Sequence, residues 1–268
     1  IRCGDMTMTT TPNPELESLV ASLGAPKPGD RWRAQEALVS AGATAIPRLT
    51  EALHHTDAYV RRGAAEVLGK IGDDEVLPAL LLGLSDPSPV VRERVAEALG
   101  TLGRAEAAPL LEIVLIADAV PAVRAMAAEA LGKVGGRDAV PALVAALRDA
   151  NPNVRWSASG ALGNTRSKRA VPSLINLLED ADAGLRGRVA ESLGRLADKS
   201  AIEPLAHALR DPDQEVRWRV ADALSGMRGP RVTEILCRTI KDADPGVRWR
   251  AASALGNMGK RHPNAVDA

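Results

Sequence analysis

The stretch Val123-Arg124-Ala125-Met126-Ala127-Ala128-Glu129-Ala130-Leu131-Gly132 is one copy of a pattern that runs through most of the chain. Its first two residues recur every 31 or 32 residues, at Val60-Arg61, Val91-Arg92, Val154-Arg155, Leu185-Arg186, Val216-Arg217 and Val247-Arg248. A short unit copied end to end buries its apolar faces against its neighbours, so this period predicts a solenoid rather than a globule around one enclosed active site. The function typical of such an extended surface is binding.

One unit contains two predicted helices. Ala139 to Leu147 carries apolar residues at helical spacing, with Pro141 in the first turn, and is called helix A here. Asp149 to Asn153 is rich in residues that cap helices or bend the chain, and Val154 to Leu162 is helix B. The pattern predicts an all-α chain of about eight helix pairs, forming one domain over residues 13–260. We expect residues 1–12 to be disordered or non-native and residues 261–268 to be a tail.

The repeated arginine is predicted to be structural. In the copy quoted above, the residues three, four, six and seven positions after Arg124 are Ala, Ala, Ala and Leu, which places the arginine on the buried face of helix B. An aspartate opens the turn six residues before the arginine, at Asp86, Asp118, Asp149, Asp180, Asp211 and Asp242. Because an unpaired charge in the interior is costly, we predict an Asp–Arg ladder that ties turn to helix within and between units.

Composition excludes several classes of function. Lys plus Arg and Asp plus Glu number 34 each, and this neutral balance disfavours general binding of nucleic acid, which needs a basic excess. Cys3 and Cys237 do not suggest disulfides or a metal knuckle, so a reducing cytoplasm is expected. The aliphatic run Ile113 to Ala117 is far too short to cross a membrane.

The segments Asp149 to Arg155, Ala127 to Gly132 and Ala139 to Leu143 resemble the short HEAT-like repeat of phycobilisome lyases, proteins that attach or detach bilins on phycobiliproteins. The resemblance covers about residues 14 to 260. It implies a right-handed alpha-alpha superhelix with helix A on the convex side and helix B lining the concave face. It also implies an alternative function, a bilin lyase or chromophore-handling subunit that binds phycocyanobilin or a related bilin and works with a phycobiliprotein subunit or a lyase partner.

The candidate site lies on helix B of the last four units. Its residues occupy positions one, two, five and nine after the repeated arginine: Trp156, Gly160, Asn164, Arg188, Glu191, Trp218, Arg219, Asp222, Trp249, Arg250, Ser253 and Asn257. Three indoles share one register, so we predict an aromatic floor rimmed by arginines, the residue types enriched at binding hot spots. The alternative is that each indole covers its neighbour's alanines and only packs, and Trp32 in the same register at the other end of the chain favours that alternative.

The leading hypothesis for function is a non-catalytic scaffold that captures a protein or an acidic peptide on the concave face. Nothing points to a catalytic residue or a metal site, since the four histidines are scattered and no nucleophile motif occurs. A minor alternative is a HEAT-like DNA glycosylase, because Trp218 and Asp222 stand one turn apart. The last helix lacks a clear cap, which favours an end-to-end dimer.

Overall fold

The structure is a computed structural model that describes the main chain of residues 14–261 and the side chains of residues 14–257. The segment 1–12, expected to be disordered or non-native, and residues 262–268 of the expected tail lie outside the described residues. The chain divides between Leu102 and Gly103 into two compact units, which are taken in turn. The prediction of one continuous domain stays a prediction.

Unit one contains three helix pairs. Its first helices are α1 (Pro14–Ser22), α3 (Ile46–Ala52) and α5 (Leu77–Gly83). Its second helices are α2 (Pro28–Ala41), α4 (Ala58–Ile71) and α6 (Pro89–Leu102). Short 3-10 turns at Gly42–Ala45 and Asp74–Val76 lead into α3 and α5.

Unit two contains five helix pairs. Its first helices are α7 (Ala108–Ala117), α9 (Val140–Ala146), α11 (Val171–Ile175), α13 (Ile202–Ala208) and α15 (Pro230–Thr239). Its second helices are α8 (Pro121–Val134), α10 (Pro152–Asn164), α12 (Ala183–Leu196), α14 (Gln214–Ser225) and α16 (Pro245–Arg261). The described part of the chain holds no strand, so the all-α class and the eight pairs are confirmed.

The local signals explain where the helices begin. Pro141 lies in the first turn of α9, where its missing N–H leaves no hydrogen bond unmade. At the start of α10 the side chain of Asn151 accepts the backbone N–H of Asn153, so this residue caps the helix as the turn composition predicts. The last residues of the predicted turn, Pro152 and Asn153, already belong to the helix.

Small residues set the distance between neighbouring second helices. A Cβ added at Gly132 of α8 would lie 2.7 Å from Cα of Ala161 in α10, and one added at Gly194 of α12 would lie 2.7 Å from Cα of Ala223 in α14. The leucines behind them, such as Leu131 of α8, are fully buried. The sequence with almost no aromatic residues therefore builds its core from close helix contacts rather than from large side chains.

The Asp–Arg ladder is confirmed, with a correction to its partners. Arg124 donates Nε and Nη2 to the carboxylate of Asp149 in the next repeat, at 2.8 and 2.9 Å, and Nη1 to the backbone oxygen of Asp118 in its own turn, at 2.7 Å. The same bidentate pairing to the aspartate 25 residues later joins Arg61 to Asp86, Arg186 to Asp211 and Arg217 to Asp242. The turn aspartate thus offers its carbonyl within a unit and its carboxylate between units.

One rung of the ladder differs. Arg155 donates Nη1 to the backbone oxygens of Asp149 and Ala150, but its buried Nε has no hydrogen-bond partner. Within the described residues no salt bridge joins it to Asp180, although that residue stands at the expected spacing. The pairing pattern therefore predicts this contact wrongly for one repeat of unit two.

Candidate functional site

The candidate residues lie on four consecutive second helices of unit two. Helix α10 packs against α12, α12 against α14 and α14 against α16, so one register of the repeat forms a continuous row. We call this row the indole surface and define it by Trp156, Arg188, Trp218, Arg219, Trp249 and Arg250.

The first stack on this surface pairs Trp156 with Arg188. The guanidinium carbon of Arg188 lies 4.2 Å from the centroid of the indole, which is the geometry of a cation–π contact. The indole remains 40% exposed, whereas the arginine side chain is only 17% exposed. Gly160 makes the contact possible, since a Cβ there would lie 2.0 Å from Nη2 of Arg188.

The second stack places one arginine on two indoles. The guanidinium carbon of Arg250 lies 4.2 Å from the ring centroid of Trp218 and 5.5 Å from that of Trp249. Trp249 is 64% exposed, while Trp218 is half-buried, and a Cβ added at Gly246 at the start of α16 would lie 3.7 Å from its Cδ1. The predicted equivalence of the three indoles therefore needs revision, because the middle one combines packing with partial exposure.

The arginines cover the rings rather than bordering an open floor. The Nε atoms of Arg188 and Arg250 are buried and have no hydrogen-bond partner. In each stack, one N–H donor of the guanidinium group is therefore left without an acceptor. Each of the three indoles that the sequence assigned to a partner is thus already contacted by an arginine of the same chain.

Carboxylates neutralise most of the positive charge on the surface. Glu191 forms a hub that pairs with Arg188 at 3.0 Å, with Arg219 at 3.6 Å and also with Arg195. Asp222 accepts Nη1 of Arg250 at 2.7 Å. An anion that approaches this surface must therefore compete with carboxylates that the chain already supplies.

A comparison with known families fits this geometry. The family model described as HEAT repeats matches residues 16–84, 46–120, 77–151, 111–184, 140–213 and 202–268. The chain belongs to the HEAT-repeat family. No curated protein matches the sequence of this HEAT-repeat chain.

Solved structures with a similar fold include natural and engineered proteins. The Escherichia coli protein YibA has a TM-score of 0.59 at 21% identity, with 87% of this chain and 88% of that chain covered. The complex of CpcE and CpcF of phycocyanin lyase from Nostoc has a TM-score of 0.51 at 23% identity, covering 96% and 100%. An engineered protein has a TM-score of 0.52 at 22% identity, covering 91% and 78%. The expected likeness to phycobilisome lyases is confirmed, and at these identities it is a likeness of fold.

The HEAT repeats of unit two share a second, smaller contact rule that the sequence analysis missed. The residue two positions after the repeated arginine contacts the acid five positions after the arginine of the preceding repeat. The examples are Ser157 with Glu129 at 2.9 Å, Arg219 with Glu191 at 3.6 Å and Arg250 with Asp222 at 2.7 Å. Alignment of the repeats gives a signal for this pairing, because the position five after the arginine is Glu or Asp in most copies and the position two after it is often Arg.

The remaining candidates lie at the margin of the indole surface. Asn164 accepts Nη1 of Arg195 at 2.9 Å, and Ser253 and Asn257 are exposed on α16. Arg219 pairs with Glu215, a residue that the sequence analysis did not select, at 3.0 Å. Asp222, the acid of the glycosylase alternative, already carries the guanidinium of Arg250.

The described residues contain neither a metal-binding cluster nor a membrane span. In this part of the chain, no three side chains of His, Cys, Asp or Glu lie close enough together to hold a metal ion. Across the same residues, no helix has both the length and the apolar character that a bilayer span requires.

Proposed function

We propose that the indole surface of unit two binds a protein or peptide partner without catalysing a reaction. The observation that carries this proposal is the exposure of Trp249, at 64%, and Trp156, at 40%, on the row of second helices. Large exposed aromatic side chains cost hydration free energy and are found at interaction sites more often than elsewhere on a surface.

The stacked arginines favour a partner with apolar groups and flanking acids. Arg188 and Arg250 each hold an indole face in a fixed orientation, which lowers the entropy lost when a partner packs against the other face. A carboxylate of the partner can replace Glu215 at Arg219 or share Arg250 with Asp222, because these salt bridges are partly exposed. Such an exchange selects acidic segments and adds little net affinity.

Selection from a displayed random-peptide library with the full chain tests this proposal. Peptides that combine apolar residues with Asp or Glu should be enriched. Trp249→Ala and Trp156→Ala should weaken the selected peptides at least about tenfold, equivalent to about 1.4 kcal/mol. Ile113→Ala is the control, since Ile113 is 60% exposed in unit two but lies on the first helix α7, outside the indole surface.

Three outcomes would reject the proposal. The first is an enriched set that binds the two tryptophan variants as tightly as the parent chain. The second is a fall in melting temperature of Trp156→Ala and Trp249→Ala large enough to account for the loss of binding, which would make the indoles packing elements. The third is an absorption shift of phycocyanobilin that disappears in Trp249→Ala, which would assign the surface to a tetrapyrrole.

A further inference from the structure

Unit one contains a cavity that belongs to a different set of residues. Its volume is about 230 Å³, and it lies between α2 and α4. Trp32 and Tyr59 supply aromatic side chains to its wall, and Arg31, Arg62 and Glu66 supply charged ones. No residue of the indole surface takes part.

Part of the positive charge of this cavity comes from Arg31, an arginine of the ladder that has no aspartate at the partner position of the next repeat. Arg31 holds the repeated position, and the residue 25 positions later is Thr56, where Arg61 has Asp86. Arg31 donates Nη1 to the backbone oxygens of Ala25 and Pro26, at 2.7 and 3.0 Å. Among the described residues, its Nε and Nη2 have no acceptor and its charge has no carboxylate partner.

Arg62 is a second cation of the cavity without a carboxylate partner in the described part of the chain. The acid nearby is already engaged, because Glu66 pairs with Lys70 at 3.1 Å and with Arg94 at 3.7 Å. Arg94 in turn pairs with Glu97 at 2.6 Å. The two unpaired guanidinium groups therefore leave the cavity positively charged.

The aromatic side chains define the other half of the ligand. Trp32 is 61% exposed and Tyr59 is 56% exposed, so both rings are available to a bound group. A volume of 230 Å³ is below the roughly 300 to 1,000 Å³ of pockets for drug-sized molecules, and it suits one group the size of a side chain. Guanidinium groups favour planar carboxylates, which they bind in a bidentate manner.

We infer that this cavity binds a carboxylate attached to an apolar or aromatic group. The carboxylate is held by Arg31 and Arg62, and the apolar part packs on Trp32 and Tyr59. Two sources carry this chemistry, a free aromatic carboxylate and the C-terminal residue of a peptide. The inference does not rest on the proposed function, because the residues lie in another unit.

Fluorine NMR of the full chain labelled with 5-fluorotryptophan tests the inference at one residue. The chain has four tryptophans, so the spectrum has four signals, and Trp32→Phe assigns one of them. N-acetyl-phenylalanine should shift the Trp32 signal in a saturable way and leave the signals of Trp156 and Trp249 in place. N-acetyl-phenylalaninamide, which lacks the charge, should bind at least about tenfold more weakly, the free-energy equivalent of one lost charge-assisted hydrogen bond.

Variants separate binding from folding. Arg31→Gln removes the donor to Ala25 and Pro26 and can destabilise the turn, so Arg62→Gln is the decisive substitution, since no described residue depends on that side chain for an ion pair. It should keep the melting temperature and weaken N-acetyl-phenylalanine about tenfold or more. A tetrapeptide that ends in Phe distinguishes the sources: tighter binding than N-acetyl-phenylalanine assigns a peptide C-terminus, and equal binding assigns the small carboxylate.

The inference fails if acid and amide shift the Trp32 signal equally, if Arg62→Gln leaves the affinity unchanged, or if only the unit-two signals move. The proposed function has its own readout on Trp156 and Trp249. Failure of one therefore does not imply failure of the other.

Discussion

The guanidinium of Arg188 fills the space that a side chain at Gly160 would occupy, since a Cβ there would lie 2.0 Å from Nη2. In neighbouring repeats the same helix position carries an acid, Glu129 or Glu191. Where this acid is absent, Arg188 stacks on Trp156 without an ion pair to the preceding second helix, whereas Arg250 stacks on Trp218 and also pairs with Asp222. Gly160 shapes this part of the indole surface although it contributes no side chain to it.

Gly160→Ala should displace Arg188 from Trp156 at little cost in stability. The clash involves the mobile end of a long side chain, and Ala is favoured over Gly inside a helix by about 1 kcal/mol. We expect an altered Trp156 fluorescence, weaker binding of peptides selected on the indole surface, and a melting temperature equal to or above that of the parent.

Gly132→Ala is the control for this experiment, because its Cβ would lie 2.7 Å from Cα of Ala161 and the two helices would have to separate. Overpacking of this kind costs about 1–3 kcal/mol, which should appear as a lower urea midpoint. If both variants lose the same stability, Gly160 is a packing residue and the stack with Arg188 is incidental.

The sequence predicts the fold well because the same residue types recur at the same helix positions in successive repeats, so each copy gives the same indication of which positions are buried. The register of Val123-Arg124, the turn at Asp149 and the alanines of helix B each recur, so their burial follows from helical geometry. The site is less predictable because a helical wheel shows which face a residue occupies but not which neighbour reaches it. The cation–π contact of Arg250 with Trp218 spans two repeats, and the empty acid position opposite Arg31 is visible only when the ladder partners are known.

Trp218 and Trp249 should differ in their contribution to stability. Trp249 is 64% exposed, so Trp249→Ala should change the free energy of unfolding by about 0.5 kcal/mol or less, the usual range for surface substitutions. Trp218 is half-buried below Arg250, so Trp218→Ala should cost about 1–3 kcal/mol, between that surface value and the cost of a fully buried aromatic. Urea unfolding followed by circular dichroism measures both, and equal values would contradict the division of roles between the two indoles.

Arg124 and Arg155 occupy the same repeat position and should respond differently to the same substitution. Arg124→Met leaves the partly buried carboxylate of Asp149 without its bidentate partner, a loss of about 3 kcal/mol. Arg155→Met leaves no carboxylate unpaired and removes a buried Nε that has no acceptor. Its cost should be smaller, since the hydrogen bonds that are lost go to backbone oxygens and no partly buried carboxylate loses its salt-bridge partner. A larger loss for Arg155→Met in urea unfolding would show that the ladder does not stabilise the stack through its carboxylates.

The ladder also predicts a loss of stability in acid. The hydrogen bonds from Arg124, together with the backbone N–H of Asn151, hold the pKa of Asp149 below its ordinary value of 3.8 although partial burial opposes this. Asp198, which accepts the backbone N–H and the hydroxyl of Ser200 and pairs with Lys168, has its pKa lowered to about 2. A carboxylate whose pKa is lower in the folded state stabilises the protein fully above its unfolded pKa of about 3.9, and that contribution disappears as the pH falls through the folded value.

The urea midpoint should therefore be nearly constant with respect to these carboxylates above about pH 5 and should fall between about pH 4 and pH 2. Asp149→Asn should be less stable than the parent at pH 7, because the guanidinium of Arg124 loses its charged partner. The amide side chain of this variant does not titrate, so the variant has no stabilisation from this carboxylate to lose in acid. Its urea midpoint should therefore fall less steeply between about pH 4 and pH 2. Parallel pH profiles for variant and parent would show that Asp149 does not titrate with a lowered pKa in the folded chain, and the acid sensitivity would then have to arise from other carboxylates.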